Sequence, residues 1–172
     1  MNEIREIVTK AVVGKGKKII RQTNILKAPN EPYSVLGCWV INHTFSGELD
    51  ENCVTITGTY EVDIWYSYEN NSKTDVLREE VTYTKTVNTK QVAIDINKDC
   101  RDILIQAIQE PTVTNAVINE CDVCVDICFE LLVEIIGETK IKVQILDQID
   151  SCDIEFDDFE SEIDEDFIHD NK

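Results

Sequence analysis

The sequence predicts an all-β fold, mainly an antiparallel β-sandwich, with one short helix and an acidic C-terminal tail. Three observations carry that reading. A long segment of period-two hydropathy runs from Val54 to Val87, a second runs from Val123 to Ile135, and carboxylates dominate the chain after about residue 149.

The first segment organises the rest. From Val54 to Tyr68 the even positions are apolar or aromatic, apart from Gly58, and the odd positions are polar, apart from Trp65. Alternation places successive side chains on opposite faces of an extended chain, which gives a strand with one dry and one wet face. Glu69-Asn70-Asn71-Ser72 supplies turn chemistry, and Lys73 to Val87 returns without Pro or Gly. The expectation is a long antiparallel hairpin whose dry face needs a partner layer.

Before it, residues 4–13 and 17–27 are two β-branched runs punctuated by Gly14-Lys15-Gly16, which predicts two strands joined by a turn. Ile4, Ile7, Val8 and Ala11 also fit helical spacing, the competing reading. Pro29 and Pro32 make a loop. Val35 to Phe45 opens apolar on both parities, which predicts a strand in the middle of the fold, covered on both faces. After the hairpin, Cys100, Ile103, Leu104, Ala107 and Ile108 fall on one helical stripe, and Pro111 would end it, so the single helix is expected over residues 99–110. In the Val123–Ile135 segment the odd positions are all apolar. Gly137-Glu138 is expected to turn the chain into a return strand through Ile141, Val143 and Ile145.

Composition sets bounds. A chain of 172 residues can hold one body, residues 1–149, plus an extension, residues 150–172. No apolar run of about 18 residues exists, so membrane insertion is not expected. The charged start, Met1 to Glu6, has no apolar signal core, which places synthesis in a cytosol. A formal charge of −18 argues against nucleic acid as a partner. Seven cysteines, an odd number, do not suit a closed disulfide framework.

The extension carries eleven Asp/Glu and one Lys, yet Phe156, Phe159, Ile163 and Phe167 recur through it at three- or four-residue spacing. A floppy acidic tail is one reading. The other is a segment, disordered alone, that docks on a basic, grooved partner through those four side chains.

Catalytic chemistry is hard to assemble. His43 and His169 are the only histidines, and no nucleophile–base arrangement follows from their positions. His43 reads as a core or edge residue. Gly14 to Lys18 lacks phosphate-loop spacing. Cys121 to Cys128 contains a Cys-x-x-Cys, but no second ligand pair accompanies it. On a strand Cys124 and Cys128 share the polar face about 13 Å apart, too far for a mutual disulfide. Ordinary strand thiols, intermolecular cross-linking through Cys124 and Cys128, and a metal site stay open. No catalytic, cofactor-binding or metal-ligating residue is assigned, and no cofactor is expected. Trp65 breaks the polar parity. Its cover is either the 88–98 segment or a strand from the first hairpin of the same chain, or a second molecule at a self-assembly contact.

The segments 5–16, Val35 to Phe45 with its Trp39-Val40-Ile41-Asn42-His43, Tyr60 to Tyr68 with its Trp65-Tyr66-Ser67-Tyr68 and the following Lys73 to Val76, and Phe129 to Lys140, together with the acidic tail, resemble the CotE family. These are outer spore coat morphogenetic proteins of endospore-forming Firmicutes. The resemblance covers nearly the whole chain and carries no catalytic motif. It implies a non-enzymatic scaffold that is made in the mother-cell cytoplasm and deposited in the spore coat. Such a scaffold would self-associate into homo-oligomers, bind the basement layer of the coat and recruit outer-coat proteins. Two other classes remain: a monomeric cytosolic protein-binding module that uses only the tail, and a thiol- or metal-dependent protein that uses the Cys121–Cys128 cluster.

Overall fold

The computed structural model of the protein describes residues 3–51, 53–93 and 96–145. Their regular elements are all strands: β1 (Glu3–Lys27), β2 (Pro32–Asp50), β3 (Cys53–Tyr68), β4 (Lys73–Asn88), β5 (Lys90–Gln91), β6 (Ile96–Asn119) and β7 (Asp122–Ile145). The chain divides into two compact units, Val8–Ile141 and Met1–Ile7 with Lys142–Lys172. In the second unit the described residues are the outer ends of β1 and β7. The first unit holds everything that follows.

One sheet has the strand order β5-β1-β7-β6 and the other β2-β3-β4. The β3–β4 hairpin is the one its alternation predicts, with Val54 opposite Val87, Ile64 opposite Leu77 and Tyr68 opposite Lys73. Glu69, Asn70 and Asn71 close it with three successive positive φ angles, and Ser72 N donates to Glu69 O at 3.1 Å. In the other sheet β6 and β7 pair antiparallel around the Glu120-Cys121 turn. Contacts of Lys15 with Glu134, Lys17 with Glu130 and Thr23 with Asp126 show β1 and β7 running in opposite directions.

The core lies between the dry faces of the two sheets. Val54, Ile56, Tyr60, Val62, Ile64 and Tyr66 of β3 meet Val123, Val125, Ile127, Phe129, Leu131 and Val133 of β7, with Ile20 and Leu26 of β1 joining them. Complete burial of such side chains stabilises by about 1.5–3 kcal/mol each. Two alternating strands thus set the sandwich, each lending one face.

Four expectations fail, for related reasons. The segment 99–110 is strand, part of β6, and not a helix. Ile103, Ile105 and Ala107 pack against the core while Leu104 and Ile108 are exposed, so the period that matters there is two. β7 needs a ladder partner for its backbone, and that pairing overrides the helical stripe. Pro111 is tolerated because β6 is an edge strand and its register shifts between Gln109 and Thr112. Residues 4–27 form one strand, not two. Gly16 serves close approach there, because a Cβ on it would stand 2.5 Å from the Asn88 carbonyl oxygen. Gly137 likewise does not turn the chain. It pairs with Arg101 inside β7, with Val13 occupying the space a side chain would need. Finally, Val35–Phe45 lies in an edge strand of the three-stranded sheet, with Leu36, Trp39 and Ile41 exposed.

Candidate interaction surfaces

The outward face of β3 and its neighbours is the first candidate. Register places Trp39 of β2 opposite Asp63, and Asp63 opposite Arg78 of β4. In the next row Gly37 faces Trp65, and Trp65 faces Val76. Trp65 is 44% exposed and Trp39 43%, and Leu36, Ile41 and Val76 are exposed beside them. The absence of a side chain at Gly37 lets the Trp39 ring lie over the backbone: a Cβ there would be 3.0 Å from Cζ3 of the indole.

Charge at the centre of this patch is partly neutralised, one guanidinium serving two carboxylates. Arg78 Nε lies 3.0 Å from Asp63 Oδ1 and 2.9 Å from Glu61 Oε1, and its second nitrogen donates to Asp63 Oδ2 at 3.3 Å. Asp63 is buried although it stands on the outward parity, because the guanidinium and neighbouring side chains cover it. Hydrogen bonding to Asp63, with the charges of Asp63 and Glu61, pushes the Arg78 pKa above its ordinary value. Trp65 is thus where its parity places it, with nearly half of its surface left open by the described residues. Trp39 escaped sequence reasoning because Val35–Phe45 reads as doubly buried. Its shared parity with Gly37 and Ile41, opposite Cys38 and Val40, was the available signal.

The second surface is the outward face of the other sheet. Cys124 and Cys128 stand on the even parity of β7 with Asp126 and Glu130, facing Val117 and Thr112 across the ladder. Both thiols are free and partly exposed, and Cys121 in the adjoining turn is exposed. Cys38 differs: burial, then the charge of Asp63, pushes its thiol up to about 11.

His43 belongs to the core. The positive φ of Asn42 and the register shift between Ile41 and Thr44 carry it inward. Its Nδ1 lies 2.9 Å from Glu110 Oε2 and its Nε2 2.8 Å from the Tyr83 hydroxyl, within a ring cluster of Phe45, Tyr60, Tyr83 and Phe129. Burial, then Tyr60 and Glu110, pushes the Tyr83 hydroxyl up to about 12. Both ring nitrogens of His43 are occupied by residues of the fold, which suits an architectural role. Phe156, Phe159, Ile163 and Phe167 lie outside the described residues.

Two sheets with aromatic and thiol side chains on their outward faces describe a β-rich body with surfaces to offer. The model of the family described as outer spore coat protein E (CotE) matches residues 3–171. The chain belongs to the CotE family. The match takes in both hairpins and the acidic segment, and it assigns the protein to the outer layer of the spore coat. No curated protein and no solved structure matches this chain.

Proposed function

We propose that this CotE-family protein is a non-enzymatic scaffold of the outer coat, made in the mother-cell cytoplasm, that self-associates through its β-rich body into homo-oligomers. The observation that carries the reading is the outward patch around Trp39 and Trp65. Large, partly exposed aromatic side chains beside an ion-paired centre are what interface anchors look like, and a body of negative charge resists indiscriminate aggregation.

In this reading residues 1–149 assemble, and residues 150–172 recruit basement-layer and outer-coat proteins through Phe156, Phe159, Ile163 and Phe167. Charge in that segment would speed encounter, while the apolar side chains would hold the complex. Cys124 and Cys128, both on an outward face, supply disulfides between neighbouring molecules as the coat matures: two thiols become one disulfide, losing two protons and passing two electrons to an external oxidant such as molecular oxygen. Light scattering of the reduced, full-length protein at moderate salt is the test. Concentration-dependent oligomers are expected, and a strictly monomeric protein at high concentration would sink the scaffold reading.

A further inference from the structure

We propose that the cleft between the β1–β2 loop and the tip of the β3–β4 hairpin receives a lysine side chain of a partner protein. The cleft has a volume of about 370 Å³, and its walls include Asn30 and Glu31 from the β1–β2 loop, Tyr33 from the start of β2, and Tyr68, Glu69 and Asn70 from the hairpin tip. Two carboxylates and two phenol rings line this space, and no cation among the described residues lines it. A carboxylate beside an aromatic ring is a binding site for an alkylammonium, which gains Coulomb attraction from one and quadrupole attraction from the other.

The molecule shows the chemistry once already. Lys73 Nζ lies 2.8 Å from Glu69 Oε1 and 5.9 Å from the centre of the Tyr68 ring. That hydrogen bond and the charge of Glu69 push the Lys73 pKa up. Glu31 and Tyr33 offer the same pair of groups in the same cleft. Both are exposed, and neither has a hydrogen-bond or ion-pair partner among the described residues. One such pair already holds the chain's own lysine, and the second lines the cleft without one.

The backbone that carries the walls is braced before any guest arrives. The hydroxyls of Ser34 and Ser67 are 2.6 Å apart, and both hydrogen-bond to Asn71 Oδ1. Ser72 donates to the Glu69 carbonyl from its backbone and its side chain. Binding then orders side chains such as Glu31 and Tyr33 but little backbone, which favours a weak but specific contact. The space exceeds one side chain, and the Asn30 and Asn70 amides can hydrogen-bond the flanking peptide groups of a guest. That favours a lysine in a polypeptide over a free amine.

Saturation-transfer NMR from the full-length protein to acetyl-Gly-Lys-Gly-amide tests this, and works whatever the oligomeric state, so its outcome is independent of the scaffold reading. The lysine side-chain methylenes are expected to take up saturation. The matched glutamine peptide should show none, and added salt should reduce the effect. Glu31→Gln and Tyr33→Ala should each weaken binding by about threefold, while Tyr33→Phe, which keeps the ring, should not. Equal signals from the glutamine peptide, indifference to both weakening variants, or binding of spermidine without binding of the lysine peptide would each overturn the assignment.

Discussion

Arg78 spans from β4 to the buried carboxylate of Asp63 on β3, with Nε 3.0 Å from Oδ1, while its own side chain stays largely exposed. The two residues are direct cross-strand partners. A buried carboxylate left without its cation is costly, whereas removing both charges together costs much less. Arg78→Met should therefore lower the denaturation midpoint more than the double variant Asp63→Asn/Arg78→Met does. A double-mutant cycle by chemical denaturation checks this, and additive effects would show that the pair contributes nothing to stability.

The patch on either side of this pair gives the second prediction. Trp39→Ser combined with Trp65→Ser should weaken self-association by roughly tenfold or more, as loss of an interface anchor does. Fold stability should change by only about 1 kcal/mol, because both indoles are already exposed. Sedimentation of the variant against the parent protein measures the first effect. Unchanged association would move the contact to another face.

Gly58 lies beneath Tyr83. A Cβ at that position would stand 2.6 Å from the Tyr83 hydroxyl oxygen and 2.7 Å from the Thr44 carbonyl oxygen. Gly58→Ala should destabilise by about 1–3 kcal/mol through overpacking. Adding Tyr83→Phe should recover none of that loss, because it leaves Cζ of the ring 2.7 Å from the new Cβ and strips His43 Nε2 of its hydroxyl partner. Thermal unfolding of the three variants checks the order.

Much of this architecture could be read in the chain. β3 and β7 alternate so strictly that their faces, their partner requirement and the turn at Glu69–Ser72 follow from spacing alone. The errors share a cause. At Cys100–Ile108 the apolar residues satisfy periods of two and 3.6 together, and only the demand of β7 for a ladder partner decides. Gly16 and Gly137 look like turn residues, yet each is small because another group approaches its Cα. Of the surfaces, Trp65 was visible because it breaks a clean alternation. Trp39 was not, because β2 changes parity at its register shifts.

Alkaline pH supplies a fourth prediction. With the Cys38 thiol pushed up to about 11 from 9, the folded protein holds its proton where the unfolded chain has released it. Its contribution to stability is complete below pH 9 and is lost as pH rises to about 11. Cys38→Ala should flatten that part of the stability profile. In the folded, reduced protein at pH 8, alkylation should reach Cys121 first and Cys38 last, with Cys124 and Cys128 between. Rapid labelling of Cys38 would contradict the effect of its surroundings.

The acidic segment gives the fifth. Replacing Phe156, Phe159, Ile163 and Phe167 together by Ala keeps every charge and removes the apolar contacts. Recruitment of outer-coat proteins to assembled scaffold should be lost, while light scattering of the variant alone stays unchanged. Persistent recruitment would leave the segment as a solubiliser.

The middle strand of the three-stranded sheet has a further consequence, for how such a gene can change. Even residues of β3 fill the core and odd residues carry Glu61, Asp63 and Trp65 outward. A one-residue insertion or deletion anywhere between Val54 and Tyr68 would exchange the two rows beyond it, sending tryptophan and carboxylates inward and aliphatic side chains to solvent. Length variation in this hairpin is therefore confined to Glu69–Ser72, where the lysine cleft begins, so sequence drift that spares the fold falls on the specificity of that cleft.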